Sequence, residues 1–309
     1  MTNLKRIQTI LVTGANGFLG QKLIERLVDK PGYRIVATSK SENRIFIREG
    51  YTYTTCNIAD PASLQSLLDE VRPDNIIHTA AMSSVEACEN DPVQCEKINV
   101  RAVYQLGQYC AEHDAHLVHL STDFVFDGME GPYRETGQTN PCNAYGKSKT
   151  ISEKRLSSID CRAAILRTIL VYGINGDTKR SNLVLWAKTQ LESNNRINVV
   201  SDQWRMPTFV DDLADACIRA MEKEATGIYH ISGDEMMTII DAVYRIADFW
   251  RLDRSLINPI RAMDIGQETN RPRKTGFILD KAKTALGYSP TPFIKSLKEI
   301  EQQFSFYNR

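Results

Sequence analysis

Short apolar runs alternate with segments of helical periodicity along the first half of this 309-residue chain. Apolar runs of strand length lie at 7–13, 33–38, 74–80, 115–122 and 161–168. Apolar residues recur at helical spacing in the intervening segments 18–30, 60–71, 91–113 and 143–158. Strands that are apolar throughout and separated by helices are typical of a parallel sheet covered on both faces. The pattern therefore predicts an α/β fold with a doubly wound, Rossmann-type parallel sheet.

Beyond about residue 170 the alternation loosens and turn-forming residues become more frequent. Helical spacing is clear there only at 209–223, 237–250 and 294–303. We expect a Rossmann domain over residues 1–170 and a smaller C-terminal substrate-binding lobe over 171–309. A segment at about 207–228 is expected to pack back on the first domain, so the boundary between the two is not clean.

Composition narrows the function classes. The chain has 38 Lys and Arg against 38 Asp and Glu, so nothing in its charge indicates a nucleic-acid or membrane-surface partner. No apolar run approaches the roughly 18 residues that a membrane-spanning helix needs. The 7 cysteines form neither a CxxC motif nor a Cys/His cluster. We therefore expect a cytoplasmic protein with no metal site.

A glycine-rich loop joins the first strand to the first helix. Its glycines, Gly14, Gly17 and Gly20, follow the spacing GxxGxxG. The unpaired N–H groups and the dipole of a helix N-terminus favour the negative charge of a pyrophosphate. A glycine-rich turn without a ligand is the plainer interpretation. The position of the loop directly after the N-terminal strand favours dinucleotide binding.

The end of the second strand bears on which dinucleotide binds. NAD sites usually carry an acidic residue there, which binds the ribose 2′-hydroxyl. This chain has Ser39 and Lys40 instead, followed by Glu42 and Arg44. A hydroxyl and two cations suit a 2′-phosphate. We expect NADP(H) to be the preferred cofactor and NAD(H) to remain usable, because Glu42 could also reach the ribose.

Tyr145 and Lys149 are four residues apart in a predicted helix, behind an Asn-Pro break. Positions i and i+4 share one face of a helix, so both side chains can reach the same small molecule. Alone, this spacing is a weak signal, and an ordinary surface helix is the favoured interpretation.

The glycine loop together with Tyr145 and Lys149 resembles the extended short-chain dehydrogenase/reductase superfamily. Three further motifs, LSTDFVFDG, GPYRETGQTNPCNAYGKSK and ILRTILVYG, are similar to those of the dTDP-4-dehydrorhamnose reductase family. The C-terminal motifs VVSDQWRMPTFVDDLADA and RPRKTGFILDKAKTALGY also match that family. The resemblance therefore covers nearly the whole chain.

The resemblance implies roles for individual residues. Tyr145 would be the catalytic acid, and Lys149 would lower its pKa and bind the nicotinamide ribose. Thr122 would orient the substrate carbonyl, and Asn99 would support the site. Further cofactor contacts are expected from Asn16, Phe18, Leu19, Asn57, Ile58, Thr79, Ala80 and Ala81. Substrate contacts are expected from Ser83, Asp123, Phe124, Arg205 and Arg271.

The implied activity is reduction of a 4-keto-6-deoxy nucleotide sugar, with hydride delivered to the C4 ketone. Phe124 and Leu170 stand where the family commonly has Tyr and Trp, which leaves the sugar open. Thr122 is followed by Asp-Phe rather than the Asp-Glu of the 4,6-dehydratases, which disfavours dehydration.

Two alternatives stay open. GIYHISGDEMMTIIDAVYRIADF and TPFIKSLKEI are similar to the regulatory β subunit of methionine adenosyltransferase, in which NADP would be structural and a protein would be the partner. The second alternative is an epimerase-reductase that acts on another nucleotide sugar. The nucleotide-sugar substrate is the expected partner, and a homodimer is also left open.

Overall fold

The computed structural model describes residues 6–176, 182–267 and 269–307. The ends of the predicted domains, 1–5 and 308–309, lie outside the described residues. The strands, numbered in chain order, are β1 Gln8–Thr13, β2 Tyr33–Ser39, β3 Thr52–Thr55, β4 Asn75–His78, β5 His116–Thr122, β6 Arg162–Thr168, β7 Val171–Tyr172, β8 Ile197–Val200, β9 Trp204–Arg205, β10 Thr208–Phe209, β11 Gly227–Ile231, β12 Met237–Thr238 and β13 Ile257–Ile260. The α-helices are α1 Phe18–Leu27, α2 Pro61–Val71, α3 Val85–Asn90, α4 Pro92–Glu96, α5 Ala102–His113, α6 Ala144–Ser157, α7 Leu183–Glu192, α8 Val210–Glu222, α9 Ile239–Trp250, α10 Asp280–Leu286 and α11 Phe293–Tyr307.

The central sheet has seven strands in the order β11-β6-β5-β4-β1-β2-β3, and every neighbouring pair is parallel. The strand order reverses between β1 and β4, which is the point where doubly wound sheets bind ligands. The predicted Rossmann-type doubly wound sheet is confirmed.

Helices cover both faces of this sheet. Successive side chains of a strand point to opposite faces, so Ile10 and Val12 belong to one hydrophobic cluster and Leu11 to the other. The first cluster includes residues of α1, α8 and α10, and the second includes residues of α2, α5 and α6. All three strand residues are fully buried, as their unbroken apolar run predicts.

The C-terminal half of the chain contributes to two cores. Helices α7, α9 and α11 form a separate hydrophobic cluster with β8 and β13. Helix α8 packs on α1, and β11 adds the outermost strand of the central sheet beside β6. The chain thus leaves the Rossmann sheet after β6 and returns to it with α8 and β11. The division of the chain into a domain over 1–170 and a lobe over 171–309 stays a prediction.

The predicted single helix at 91–113 is interrupted. Residues Lys97–Arg101 form a π-helical turn between α4 and α5. A π turn inserts one extra residue into a helix and is frequent at functional sites. Here the π turn directs the side chain of Asn99 into the core, where it is fully buried. Strand β3 at the sheet edge was not predicted, because its sequence TYTT lacks an apolar run.

None of the helices in the described parts of the chain combines the length and the apolar character needed to cross a lipid bilayer.

Candidate active site

A cavity of about 400 Å³ opens at the carboxyl ends of β1, β2, β4 and β5. It is lined by nearly all of the predicted cofactor residues, namely Gly14, Asn16, Gly17, Phe18, Leu19, Ser39, Lys40, Arg44, Asn57, Ile58, Thr79, Ala80, Ala81, Tyr145 and Lys149. Gly20 is the exception, because it packs α1 against the start of the glycine loop instead of facing the cavity. A Cβ atom there would lie only 2.3 Å from the carbonyl oxygen of Gly14.

The glycine loop forms the floor of the cavity. Gly14 has a φ of +69°, and a Cβ atom at this position would lie 2.6 Å from the backbone nitrogen of Ala80. Only glycine therefore allows the loop to pass so close to the end of β4. Gly17 is the N-cap of α1 and has no side chain to bind the N–H groups of the first turn. Those donors remain available to an anionic ligand.

Asn16 holds the loop that follows β2 against the glycine loop. Its amide group donates hydrogen bonds to the carbonyl of Glu42 at 2.8 Å and to the hydroxyl of Tyr53 at 3.0 Å. Its carbonyl accepts from the backbone N–H of Arg44 at 2.9 Å. The backbone N–H of Asn16 donates to the hydroxyl of Ser39 at 2.9 Å. Asn16 therefore shapes this end of the cavity.

The end of the cavity beside β2 is cationic. Lys40 and Arg44 are both exposed and both line it, together with Ser39 and Ser41. The side chain of Glu42, the residue that could have bound a ribose hydroxyl, is not among the lining groups. The arrangement suits a phosphate better than a neutral hydroxyl.

Tyr145 and Lys149 lie at the opposite end of the cavity, on α6. Asn143 caps this helix by accepting a hydrogen bond from the backbone N–H of Gly146 at 2.7 Å. Lys149 is 2 % exposed, and its Nζ atom donates to the carbonyl of Leu120 at 2.8 Å. This bond fixes the helix against the end of β5, and both side chains line the cavity.

Burial shifts the pKa values of both groups. Removal from water disfavours the ammonium of Lys149 and lowers its pKa to about 8, although the carboxylate of Glu153 one turn away opposes this. The pKa of Tyr145 is raised, chiefly because its phenol is surrounded by protein, while a hydrogen bond with Thr122 acts in the opposite direction. The expected effect of Lys149 on the pKa of Tyr145 stays a prediction, because burial dominates the shift. The phenol of Tyr145 is protonated at neutral pH.

Thr122 lies beside Tyr145 at the carboxyl end of β5, where sequence analysis put it. Its hydroxyl donates to the carboxylate of Asp123 at 3.1 Å and accepts from the backbone N–H of Phe124. Asp123 is buried and also accepts a hydrogen bond from Thr275. Burial raises its pKa, and the nearby Arg205 opposes that shift. The single proton of the Thr122 hydroxyl is thus directed to Asp123, and Thr122 is not among the residues that line the cavity.

Phe124 and Leu170, the two departures from the family pattern, occupy different surroundings. Phe124 is partly buried and makes an edge contact with the ring of Tyr145, with 6.2 Å between ring centroids. Leu170 connects β6 to β7 with a φ of +37° and packs against the hydrophobic cluster of the sheet. Phe124 is therefore the departure that contacts a predicted catalytic group.

Arg205 differs from the expected substrate contact. It is 4 % exposed, and its guanidinium donates to the backbone carbonyls of Trp204, Pro272 and Arg273 at 2.7, 2.7 and 3.2 Å. Its Nε atom lies 3.9 Å from the carboxylate of Asp123. These bonds occupy the guanidinium, so we assign Arg205 to shaping the 270–273 segment and not to holding a phosphate.

Arg271 lies in that segment, close to Arg205. Its guanidinium forms an ion pair with Glu86 in the first turn of α3. Ser83, three residues before Glu86, lines the cavity, and its predicted substrate contact stays a prediction. Arg271 and Ser83 therefore remain candidates for the substrate side.

Asn99 ties the cavity wall to α6. Its side chain accepts from the backbone N–H of Met82 and donates to the Met82 carbonyl, both at 2.9 Å. It also donates to the hydroxyl of Ser148 at 2.9 Å. Asn99 thus joins the segment after β4 to the helix that carries Tyr145 by hydrogen bonds.

Comparison with known proteins identifies the family. The family described as RmlD substrate binding domain matches residues 8–306. The chain belongs to this family. The dTDP-4-dehydrorhamnose reductase of Aggregatibacter actinomycetemcomitans is 31% identical over 303 residues, which are 94% of this chain and 97% of that protein. The resemblance inferred from the motifs is therefore confirmed.

The chain is also similar to a methionine adenosyltransferase subunit and to a reductase of known structure. Methionine adenosyltransferase 2 subunit beta of Xenopus tropicalis is 32% identical over 296 residues, 94% of this chain and 86% of that protein. The crystal structure of dTDP-4-dehydrorhamnose reductase from Bacillus anthracis in complex with NADP superposes with a TM-score of 0.83 at 25% identity, covering 96% of this chain and 99% of that one.

Sequence reasoning missed the apolar wall of the cavity. The apolar lining residues that were not predicted are Ile98, Leu120, Val171 and Leu213, and the polar Thr168 lies beside them. Ile98 reaches the cavity from the π turn, and Leu213 comes from α8, which follows the predicted domain boundary. No local motif marks these positions, since each depends on how distant segments pack.

Proposed function

We propose that this protein is an NADPH-dependent reductase of a 4-keto-6-deoxy nucleotide sugar, which converts the C4 ketone to an alcohol. The observation that carries the proposal is the layout of a single cavity. Cationic Lys40 and Arg44 lie at one end, the glycine loop lies in the middle, and Tyr145 and Lys149 lie at the other end. This order follows the 2′-phosphate, the pyrophosphate and the nicotinamide ribose of an extended dinucleotide.

The residues present fit that cofactor. The first turn of α1 offers N–H donors for the pyrophosphate, because Gly17 caps the helix without a side chain. Lys149 would hold the nicotinamide ribose, since its ammonium faces the cavity at the end of β5. When bound, the reduced nicotinamide supplies the hydride.

The chain's own residues would manage the proton and the position of the ketone. Thr122 would orient the carbonyl oxygen, and Tyr145 would donate its phenolic proton to that oxygen as the C4 alcohol forms. The phenol carries its proton at neutral pH, as an ordinary tyrosine also would, so the donor is in place before the reaction. Holding ketone and donor groups in one geometry supplies much of the acceleration.

The relatives support this proposal in part. The reductase of Aggregatibacter actinomycetemcomitans carries the dTDP-4-dehydrorhamnose name, and the Bacillus anthracis structure contains NADP. Phe124, in contact with Tyr145, differs from the residue common in reductases, so the sugar is proposed only as a class.

The test is NADPH oxidation against a panel of dTDP- and UDP-linked 4-keto-6-deoxy sugars, with Tyr145→Phe protein as the inactive control. Turnover of at least one panel member by the wild type alone would support the reductase. Tight NADPH binding without turnover of any sugar, together with stoichiometric capture of a methionine adenosyltransferase from the native host, would support a regulatory subunit instead.

A further inference from the structure

The last turn of α11 is anchored on α1, the helix whose N-terminus forms part of the cavity. The hydroxyl of Tyr307 donates a hydrogen bond to the carboxylate of Glu25 at 2.6 Å and accepts one from the ammonium of Lys22 at 2.8 Å. Lys22 and Glu25 both lie on α1. Hydrogen bonds to charged groups are stronger than those between neutral groups. Tyr307 therefore fixes the end of α11 to the cofactor half of the fold.

Lys22 is buried, and most of its partners come from the C-terminal half of the chain. Its side chain is 2% exposed, and its ammonium lies 3.5 Å from the carboxylate of Asp211. The ammonium also donates to the side-chain carbonyl of Gln303 at 3.0 Å. A buried charge is costly unless it is paired and hydrogen-bonded. Because Gln303 and Tyr307 supply two of these bonds, the buried ammonium holds the end of α11 in place.

The loop after β2 rests on this anchored turn. The ring of Phe46 makes edge contacts with the rings of Tyr307 and Phe306, with 5.4 and 6.0 Å between centroids. Phe46 also packs on the backbone of Gly176, where a Cβ atom would overlap its own Cβ atom. Phe46 is nevertheless 40% exposed. Its contacts therefore fix the loop more than they fill the core.

This loop carries a cation of the cavity. Arg44 is exposed and lines the cavity, and its backbone N–H donates to the side-chain carbonyl of Asn16 at 2.9 Å. Ile45 follows and is buried in the hydrophobic cluster of the sheet, and Phe46 comes next. A long exposed side chain is placed by its backbone. The position of Arg44 thus depends on Asn16 on one side and on Phe46 on the other.

We propose that Phe46 is a positioning residue for the 2′-phosphate of NADP(H), and that the last turn of α11 holds it in place. Without these contacts, the loop that carries Arg44 must become ordered as the phosphate binds, and this loss of entropy weakens binding. NADH has no 2′-phosphate, so its affinity does not depend on where Arg44 lies. The inference rests on the proposed function in assigning Arg44 to the 2′-phosphate.

The experiment measures the Kd of NADPH and of NADH for wild-type and Phe46→Ala protein by cofactor fluorescence. An edge contact between aromatic rings corresponds to roughly twofold to tenfold in an equilibrium constant, so we expect the Kd of NADPH to rise by roughly threefold to fivefold. The Kd of NADH should stay unchanged. A general loss of structure would weaken both cofactors alike.

A second variant removes the other side of the contact. Phe306→Ala takes away one of the two rings that hold Phe46, and the Kd of NADPH should rise by roughly twofold. Phe306 is 48% exposed, so the fold should tolerate this change. Tyr307 is left intact, because its removal would take a hydrogen bond from the buried Lys22.

Two controls separate positioning from a general effect on the helix. Phe304→Ala changes the same helix at a ring that contacts Lys188 instead of Phe46, and it should leave the ratio of the two Kd values unchanged. In an Arg44→Ala background, Phe46→Ala should no longer change this ratio, because the cation that Phe46 positions is gone.

A loss of affinity for NADPH alone in Phe46→Ala and Phe306→Ala, absent in the Arg44→Ala background, supports the positioning role. An unchanged ratio of Kd values in Phe46→Ala, or an equal loss for both cofactors, overturns that role and leaves the reductase proposal standing. Equal affinity of the wild type for NADPH and NADH overturns the assignment of Arg44 and the positioning role together. Binding of neither cofactor by the wild type overturns the proposed function as well.

Discussion

The ammonium of Lys149 donates a hydrogen bond to the backbone carbonyl of Leu120 at 2.8 Å. Leu120 lies two residues before Thr122 on β5, and Lys149 lies one helical turn after Tyr145 on α6. This contact joins the strand and the helix that carry the proposed catalytic groups. It also keeps the ammonium at the cavity wall, where a ribose would lie.

Lys149→Met should weaken both NADPH binding and turnover, because the ammonium is assigned a cofactor contact as well as a position beside Tyr145. With a pKa of about 8, wild-type Lys149 loses its charge as the pH rises through that value, so its NADPH affinity should fall above about pH 8. Titration of cofactor fluorescence at several pH values measures both effects. An Lys149→Met protein with wild-type affinity and the same pH dependence would rule out the ribose contact.

Tyr145→Phe should retain NADPH affinity and lose most turnover. The substitution removes the proton donor but keeps the ring and its edge contact with Phe124. General acid catalysis typically contributes about 10²–10⁴-fold, so kcat should fall by at least about a hundredfold. Tyr104→Phe, on the outer side of the fold beside Arg155, is the matched control and should keep full activity. If kcat survives in Tyr145→Phe, another group supplies the proton.

NADPH should be preferred over NADH by roughly tenfold, because Lys40 and Arg44 each offer an exposed contact worth about 1 kcal/mol or less. High salt should reduce the preference, since it screens exposed charges. The ratio of kcat/KM for the two cofactors at low and high salt measures this. Replacing both residues with alanine should abolish the preference, whereas Arg48→Ala, an exposed neighbour outside the cavity lining, should not. Equal use of both cofactors by the wild type at low salt would show that these charges have no ligand.

Local sequence was sufficient to predict most of the residues that line the cavity. The glycine loop and the Tyr145–Lys149 spacing lie within single turns or helices, so their geometry follows from neighbouring residues. The contacts of Arg205 could not be predicted from local sequence. Its sequence context resembles a substrate arginine, but carbonyls 67 and 68 residues away occupy its guanidinium. Likewise, the pairing of Arg271 with Glu86 depends on packing between segments 185 residues apart, which no local pattern encodes.

The free energy of unfolding should fall as the pH drops below about 6.5. His78 and His230 are buried and burial lowers their pKa values to about 3, while that of His119 is well below normal. The unfolded chain binds protons near pH 6.5 that the folded protein does not, so each such histidine costs about 1.4 kcal/mol per pH unit below that value. Burial raises the pKa of Asp123, so the folded protein binds this proton more readily than the unfolded chain does. Asp123 therefore offsets part of the loss of stability at low pH.

Urea unfolding between pH 7 and pH 5 measures this dependence. His230→Phe, in a pocket already formed by aromatic rings including Phe277, should reduce the slope by about one histidine's contribution of 1.4 kcal/mol per pH unit. A stability that stays constant over this range would show that the buried histidines are protonated in the folded protein.

Transfer of deuterium tests the central claim most directly. The wild-type protein would be incubated with NADPH deuterated at the transferable position and a 4-keto-6-deoxy nucleotide sugar, and the product would be analysed by NMR and mass spectrometry. We expect one deuterium on C4 of the sugar, with label transfer lost in Tyr145→Phe. Unlabelled sugar recovered from a protein that demonstrably binds both ligands would contradict it.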